Sequence, residues 1–373
     1  MTACALVHFN HQLNNGLISW PDFRTSSWKP NYGDMLVCAA LIRQIGYYDD
    51  FIRIDFGYRL PRKADCAVIR GSTYLHNEFN FDAAIETLDS LPESNIAMVG
   101  LGAQNPIQDL SFLDNNKSAH IFLKKLSERS ASISVRGNFT SAILERHGIK
   151  NIRITGCPSL FYTHKPPSVK VPELLSTRNR RLGVSLHTGL SQNIFCKSPR
   201  KTQALHGTVI DYCSKNASSV ALYEQGIQLE FAVADRTLPF QERIEAAKQI
   251  IARIDAEGMI SPEQLISQMV SVHNIEEWLA KARDQDAMLG FRFHGNMVGL
   301  LQGSPCLYYV YDSRLEEFCR LYGLPYVDVE SQWTDPIKVI LDWDWDRANA
   351  NIKGCYQELK AFYDENGVKN TLN

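Results

Sequence analysis

Gly290-Phe-Arg-Phe-His-Gly-Asn-Met-Val-Gly-Leu-Leu-Gln-Gly-Ser-Pro-Cys-Leu-Tyr-Tyr-Val310 is the stretch on which the reading of this chain turns. Apolar Met288, Leu289 and Phe291 lead into Arg292 and His294, after which Met297, Val298, Leu300 and Leu301 follow helical spacing. Gly303-Ser304-Pro305 closes that helix, and the apolar run Cys306 to Val310 has the length of a strand. The pattern is a βαβ unit, which brings a strand's C-terminal end beside the next helix's N-terminus.

Arg292 and His294 stand two apart, so at an extended strand end they face the same way. Behind them the first helical turn offers unpaired N–H groups and a positive dipole end. A guanidinium fork, an imidazole and a helix N-terminus converging on one point describe a site for a phosphate or carboxylate. Gly295 lets a ligand approach the backbone, and Asn296 follows it. An isolated Arg-x-His ordinarily makes a structural ion pair and a loop cap; the pattern around this pair favours the anion site.

The remaining chain repeats the alternation. With 373 residues it exceeds what one hydrophobic core usually serves, so two domains are expected. Strands are predicted at Ala3–Phe9, Ala64–Ile69, Asn95–Gly100, Ala131–Val135 and Ile152–Thr155, with helices at Asp34–Ile45, Ala119–Glu128 and Phe139–His147. Residues 163–180, rich in proline, read as a linker. The pattern restarts with strand Leu182–Leu186, helix Thr202–Lys215, strand Ser219–Tyr223, helix Pro239–Ile254 and a helical region over 261–284. A helix at 314–321 follows the central unit. Strands alternating with helices mean parallel sheets.

Composition excludes several classes. Apolar residues make up 45% and charged residues 21%, with a net charge of −2, so the chain as a whole is not a nucleic-acid binder. Nine cysteines form no Cys-x-x-Cys pair and several lie in apolar elements, which points to buried reduced thiols rather than a zinc site. No leader and no apolar run of about 18 residues is evident, so the expected location is the cytoplasm, with at most peripheral association at the inner face of the membrane. Asp342-Trp-Asp-Trp-Asp346 invites a metal reading, but before a final helix its carboxylates serve as caps and its rings as packing groups. No metal is expected.

Taken together the segments resemble the polysaccharide pyruvyl transferase family. The landmarks, in order, are Asn31-Tyr-Gly-Asp34, Gly100-Leu-Gly-Ala-Gln104, Ser134-Val-Arg-Gly137, Gly156-Cys-Pro-Ser159, Val184-Ser-Leu-His187, the Arg292-x-His294 pair, Gly303-x-Pro305 and Tyr311-Asp312. The similarity spans roughly residues 30–325. One position departs: many relatives carry Asp where this chain has Cys157.

The resemblance implies an α/β fold of two Rossmann-like domains facing across a cleft, a glycosyltransferase-B-like arrangement. An N-terminal domain over 1–165 would take the acceptor and a C-terminal domain over 181–345 the donor. Residues 346–373 would form a helix packing back on the N-terminal domain. The activity implied is transfer of the pyruvyl group of phosphoenolpyruvate to two hydroxyls of a sugar, forming a ketal in a surface polysaccharide or its lipid-linked precursor. Phosphoenolpyruvate is then a co-substrate and no cofactor is needed; the acceptor is an oligosaccharide, polysaccharide or lipid-linked glycan. His294 and Asp34 are the catalytic candidates. Arg292, His294, Gly295, Asn296 and His187 are expected on the donor side, and Asn31, Gly102, Gln104 and Trp28 on the acceptor side, near the long loop 10–30. Asp34 serves equally well as a first-turn partner of the helix dipole, His187 as an ordinary loop histidine, and Trp28 as a packing anchor. A nucleotide-sugar-dependent glycosyltransferase and a non-catalytic glycan-binding protein remain the alternatives.

Overall fold

The computed structural model describes residues 2–9, 31–93, 95–190 and 193–373. Its N-terminal lobe runs β1 (Ala3–Val7), α1 (Tyr32–Gln44), β2 (Asp50–Ile54), β3 (Cys66–Arg70), α2 (Phe81–Ser90), β4 (Ile96–Val99), α3 (Lys117–Arg129), β5 (Ile133–Val135), α4 (Asn138–Arg146) and β6 (Ile152–Ile154). Strands β2-β1-β3-β4 pair in parallel, and a bridge between Leu101 and Val135 continues the order into β5-β6. Both β3 and β4 are buried along their whole length, which is why they read as unbroken apolar runs.

The second lobe runs β7 (Arg181–Ser185), α5 (Pro199–Asn216), β8 (Ser219–Tyr223), α6 (Gln228–Ala234), α7 (Phe240–Arg253), α8 (Pro262–Gln268), β9 (Met269–Val270), α9 (Ile275–Arg283), β10 (Ala287–Gly290), α10 (Phe293–Leu301), β11 (Cys306–Val310), α11 (Ser313–Tyr322) and β12 (Tyr326–Asp328). Its all-parallel order is β12-β11-β10-β7-β8-β9. Read outward from β7, this is the Rossmann order, with the switch in winding direction between β7 and β10. In the first lobe the corresponding switch lies between β1 and β3. Ligands of open α/β sheets bind beyond the strand C-termini at such points.

The helices α12 (Pro336–Leu341) and α13 (Trp345–Glu365) complete the chain. Asp344 caps α13, and the indoles of Trp343 and Trp345 donate to the Gly323 and Ile340 carbonyls. From α13 outward, Tyr363 donates to Gln44, and Glu358 and Glu365 pair with Arg153, which anchors the helix on the first lobe. All nine cysteines are free and buried. Among the described residues no helix is long and apolar enough to cross a membrane.

Several sequence expectations need correction. The strand β2 and the helix α2 were not anticipated, and region 261–284 is two helices separated by β9 rather than one helical stretch. More consequential, β10 ends at Gly290 and Arg292 is already the N-cap of α10. Gly290 has φ of 143°, away from extended backbone, and a Cβ there would lie 2.3 Å from Ser185 Oγ, so only glycine fits at this strand end. Arg292 and His294 therefore do not share a strand face; His294 stands in the first helical turn.

Candidate active site

The strand C-termini of both lobes open on one cleft of about 240 Å³. Two larger hollows, about 550 and 660 Å³, lie at the β9 edge and beside the linker, where the cationic side chains are exposed. Of the residues singled out from sequence, Asn31, Asp34 and Gln104 line the cleft from the first lobe, and His187, Arg292 and His294 from the second.

Each lobe places an arginine at its switch point. Arg292 Nε donates to the Leu186 carbonyl at 2.8 Å, bridging the ends of β10 and β7. Arg70 Nε donates to the His8 carbonyl at 2.7 Å, bridging β3 and β1 in the same manner, and its Nη1 reaches Asp34 Oδ1 at 3.2 Å. Asn31 caps α1 through Gly33 and also donates to Asp34. The α1 helix approaches α10 so closely that a Cβ on Gly33 would lie 2.3 Å from His294 Nδ1. Only a glycine admits the imidazole there.

Two further arginines reach the cleft. Arg136, after β5, donates from Nε and Nη2 to the Gly100 and Gly71 carbonyls at 2.9 and 3.2 Å. Arg314, on α11, lies 3.4 Å from Asp312. The Phe293 ring sits between them, 5.9 and 5.8 Å from the two guanidinium carbons. Among the described residues, Arg292 Nη2 and Arg314 Nε are buried with no hydrogen-bond acceptor; Glu230 stands 3.7 Å from the former. Buried donors left in this state cost free energy that an incoming anion would recover. The first turn of α10 has no side-chain cap, so its dipole end adds to the same field.

The imidazoles register that field. Burial, then Arg136, Arg314 and Arg70, hold His294 well below its ordinary value. Burial, then Arg292, His206 and Arg314, do the same to His187. With the cleft free of ligand both rings are neutral at pH 7. Cys157 Sγ lies 3.9 Å from His294 Nε2 and 3.0 Å from Ser159 Oγ, so a thiol stands behind the imidazole.

Among the described residues, carboxylates of the second lobe that accept hydrogen bonds from the first include Glu224 from Tyr32 Oη at 2.7 Å, Glu276 from Tyr162 Oη at 2.9 Å, Asp312 from Gln104 Nε2 at 2.9 Å, and Glu317 from Thr140 N at 2.6 Å. Burial pushes Glu224 and Glu317 up to about 7, against the hydrogen bonds that favour their charged forms. A carboxyl raised in this way stabilises the fold fully below its unfolded value, and that stability is lost as pH rises through 7. The loss is about 3 kcal/mol for each group. The depressed histidines act in the opposite sense, losing stability as pH falls. Denaturant unfolding at pH 5 and pH 8 is therefore best read as a difference. The Glu224→Gln, Glu317→Gln double variant should gain several kcal/mol relative to wild type at the higher pH, and equal slopes for both proteins would contradict the assignment.

Other sequence expectations fall away from the cleft. Asn296 is fully buried, accepting from Ser185 Oγ at 2.7 Å and donating to the Leu307 carbonyl at 2.9 Å; its amide serves β7 and β11 and is not free for a donor. Gly295 packs on Ser185, and Gly102 packs on the Arg136 stem, so neither lines the cleft. Trp28 and the loop 10–30 lie outside the described residues. The residues missed are Arg136, Arg314 and Gln225 in the cleft lining, the last donating weakly to Asn31 at 3.4 Å, and Arg70, which reaches the lining through Asp34. A signal for two of them was present: Arg70-Gly71 and Arg136-Gly137 each stand directly at or after a buried strand.

A family model described as polysaccharide pyruvyl transferase matches residues 31–313. Among solved structures, UDP-GlcNAc 2-epimerase of Methanocaldococcus jannaschii, in complex with UDP-GlcNAc and UDP, is similar over 97% of this chain and 99% of its own, with 11% identity and a TM-score of 0.50. An E. coli structure described as trehalose-6-phosphate bound with UDP-2-fluoro glucose is similar over 99% of this chain and 100% of its own, with 8% identity and a TM-score of 0.49. At 11% identity the likeness to the epimerase is one of fold: two Rossmann-like domains across a cleft, of the glycosyltransferase-B kind. No curated protein matches the chain.

Proposed function

The chain belongs to the polysaccharide pyruvyl transferase family, and from that premise we propose that it moves the pyruvyl group of phosphoenolpyruvate onto two hydroxyls of one sugar, closing a cyclic ketal in a surface polysaccharide or its lipid-linked precursor. The observation that carries the donor is that, among the described residues, two buried guanidinium N–H groups of the cleft that also holds His294, Arg292 Nη2 and Arg314 Nε, have no hydrogen-bond acceptor. Phosphoenolpyruvate brings a phosphate and a carboxylate, and Arg136, Arg292 and Arg314 are the groups to grip them. The second lobe is then the donor side and the first, with Asp34, Asn31 and Gln104, the acceptor side.

Burial first, and the arginine field second, keep His294 neutral; a bound polyanion offsets the second and adds a negative charge beside the ring, so the imidazole takes up a proton as the donor binds. His294 delivers that proton to the methylene carbon, which becomes the methyl group, and positive charge develops at the adjacent carbon. The first sugar hydroxyl adds there, and Asp34, oriented by Arg70, accepts its proton. The second hydroxyl then replaces phosphate at the same carbon, and its proton leaves with the phosphate. The arginines stabilise the departing anion.

Phosphate release from phosphoenolpyruvate, measured across galactosides, glucosides and N-acetylmannosaminides, tests the reading directly. Release should require both donor and acceptor. Turnover of a nucleotide sugar without use of phosphoenolpyruvate would make the protein a glycosyltransferase, and glycan binding that survives Arg292→Ala and His294→Ala with no turnover would make it a binding protein.

The position where many relatives carry Asp supplies another test. Cys157→Asp sets a carboxylate beside the His294 ring and should raise the imidazole's titration, followed by NMR, by about one pH unit or more. An unmoved ring would mean the two side chains do not meet in solution.

A further inference from the structure

We propose that Glu317 is a positioning residue that sets the two lobes in register, fixing Arg136 of the first lobe opposite Arg314 of the second. The inference rests on the donor reading above, since it assigns those two guanidiniums to one ligand.

Glu317 lies on α11 three residues after Arg314, so the two side chains leave neighbouring turns of one helix face. Its side chain crosses to the first lobe and is 4% exposed. Oε1 accepts from Thr140 N at 2.6 Å and Oε2 from Thr140 Oγ1 at 3.0 Å. Thr140 is in the first turn of α4, the helix that begins right after Arg136-Gly137. Gly137, the N-cap, has no side chain with which to cap that turn, so the other lobe supplies the acceptor. The fit is close: a Cβ on Gly137 would lie 2.4 Å from Glu317 Cγ.

The contact does not stand alone. Thr140 Oγ1 also accepts from Ala103 N at 3.0 Å, and the next residue, Gln104, donates to Asp312, the N-cap of α11. The loop after β4, the start of α4 and the start of α11 are thereby closed into one ring of hydrogen bonds. Arg136 hangs from this ring by the Gly100 and Gly71 carbonyls, and Arg314 projects from its far side, with Phe293 held between the two. One helix thus contributes its own guanidinium and captures the element carrying the other. Residue types explain why: a carboxylate accepts two bonds at once, and a helix N-terminus is where it is best received.

The test uses the full chain and Glu317→Ala, Glu317→Gln and Gly137→Ala. If Glu317 sets the register, Glu317→Ala raises the KM for phosphoenolpyruvate about tenfold or more, with a smaller change in the acceptor KM. Glu317→Gln, whose amide can still accept from Thr140 N and donate to its hydroxyl, restores most of that loss. Gly137→Ala keeps the carboxylate but displaces it, and should reproduce the Glu317→Ala phenotype. Hydrogen exchange followed by mass spectrometry should show the first turn of α4 losing protection in the Ala variants without any ligand. A donor KM unchanged in all three variants, with only the active fraction reduced, would reduce Glu317 to a stability residue and overturn the proposal. Unaltered exchange in α4 would overturn it equally. The exchange arm needs no donor, so a wild-type protein that ignores phosphoenolpyruvate would sink the donor reading while leaving the interlobe contact to be judged separately.

Discussion

Arg292→Met should raise the KM for phosphoenolpyruvate about 100-fold while leaving the protein folded. The magnitude follows from charge-assisted hydrogen bonding: a guanidinium contact to a phosphate or carboxylate contributes about 1.5–3 kcal/mol, and each 1.4 kcal/mol is a factor of ten. Stability should move little because the opposing terms are similar. The variant loses the Nε bond to the Leu186 carbonyl, but it also removes a buried Nη2 that has no acceptor among the described residues. Steady-state phosphate release gives the KM and a thermal melt gives the fold. A donor KM within twofold of wild type, in a protein that melts normally, would remove Arg292 from the donor site.

His294→Gln is expected to act on the other kinetic parameter, with kcat falling by about 10²- to 10⁴-fold and donor binding kept within a few fold. Glutamine preserves a polar group of similar reach but carries no proton that it can give to carbon. A second signature separates this role from simple anchoring. The ring is held neutral in the ligand-free cleft by burial and by Arg136, Arg314 and Arg70. Binding a polyanion offsets the arginine part of that balance and sets a negative charge beside the ring, so the wild-type protein should take up close to one proton when phosphoenolpyruvate binds near pH 7. Calorimetry in buffers of different ionisation enthalpy reads this number, and the uptake should vanish in His294→Gln. Donor binding with no proton uptake in the wild type would mean that some other group protonates the methylene carbon.

These expectations join residues that the sequence made visible to others that it did not. Arg292, His294, Asp34 and Gln104 were legible because each follows a buried strand or opens a helix, and local periodicity marks such positions. Arg70 and Arg136 carried the same mark, an arginine beside a glycine at a strand end, yet nothing local says whether such an arginine points into a cleft or pairs on the surface. Asn296 shows the converse error. Its place behind Arg292-x-His294 looked like ligand chemistry, whereas its amide is spent on Ser185 and the β11 backbone.

What the amino-acid order determined by itself is the alternation of strand and helix and the family landmarks from Asn31 to Asp312. These rest on side-chain period, caps and glycine or proline stops, which act over a few residues. The tertiary structure alone decided that burial, then three arginines, Arg136, Arg314 and Arg70, hold one imidazole well below its ordinary value, and that Glu224 and Glu317 are buried against the opposite lobe. For Glu224 and Glu317, and for Arg70 and Arg136 beside His294, those properties arise from desolvation and from groups brought together across 100 residues or more of chain, distances over which local pattern carries no information.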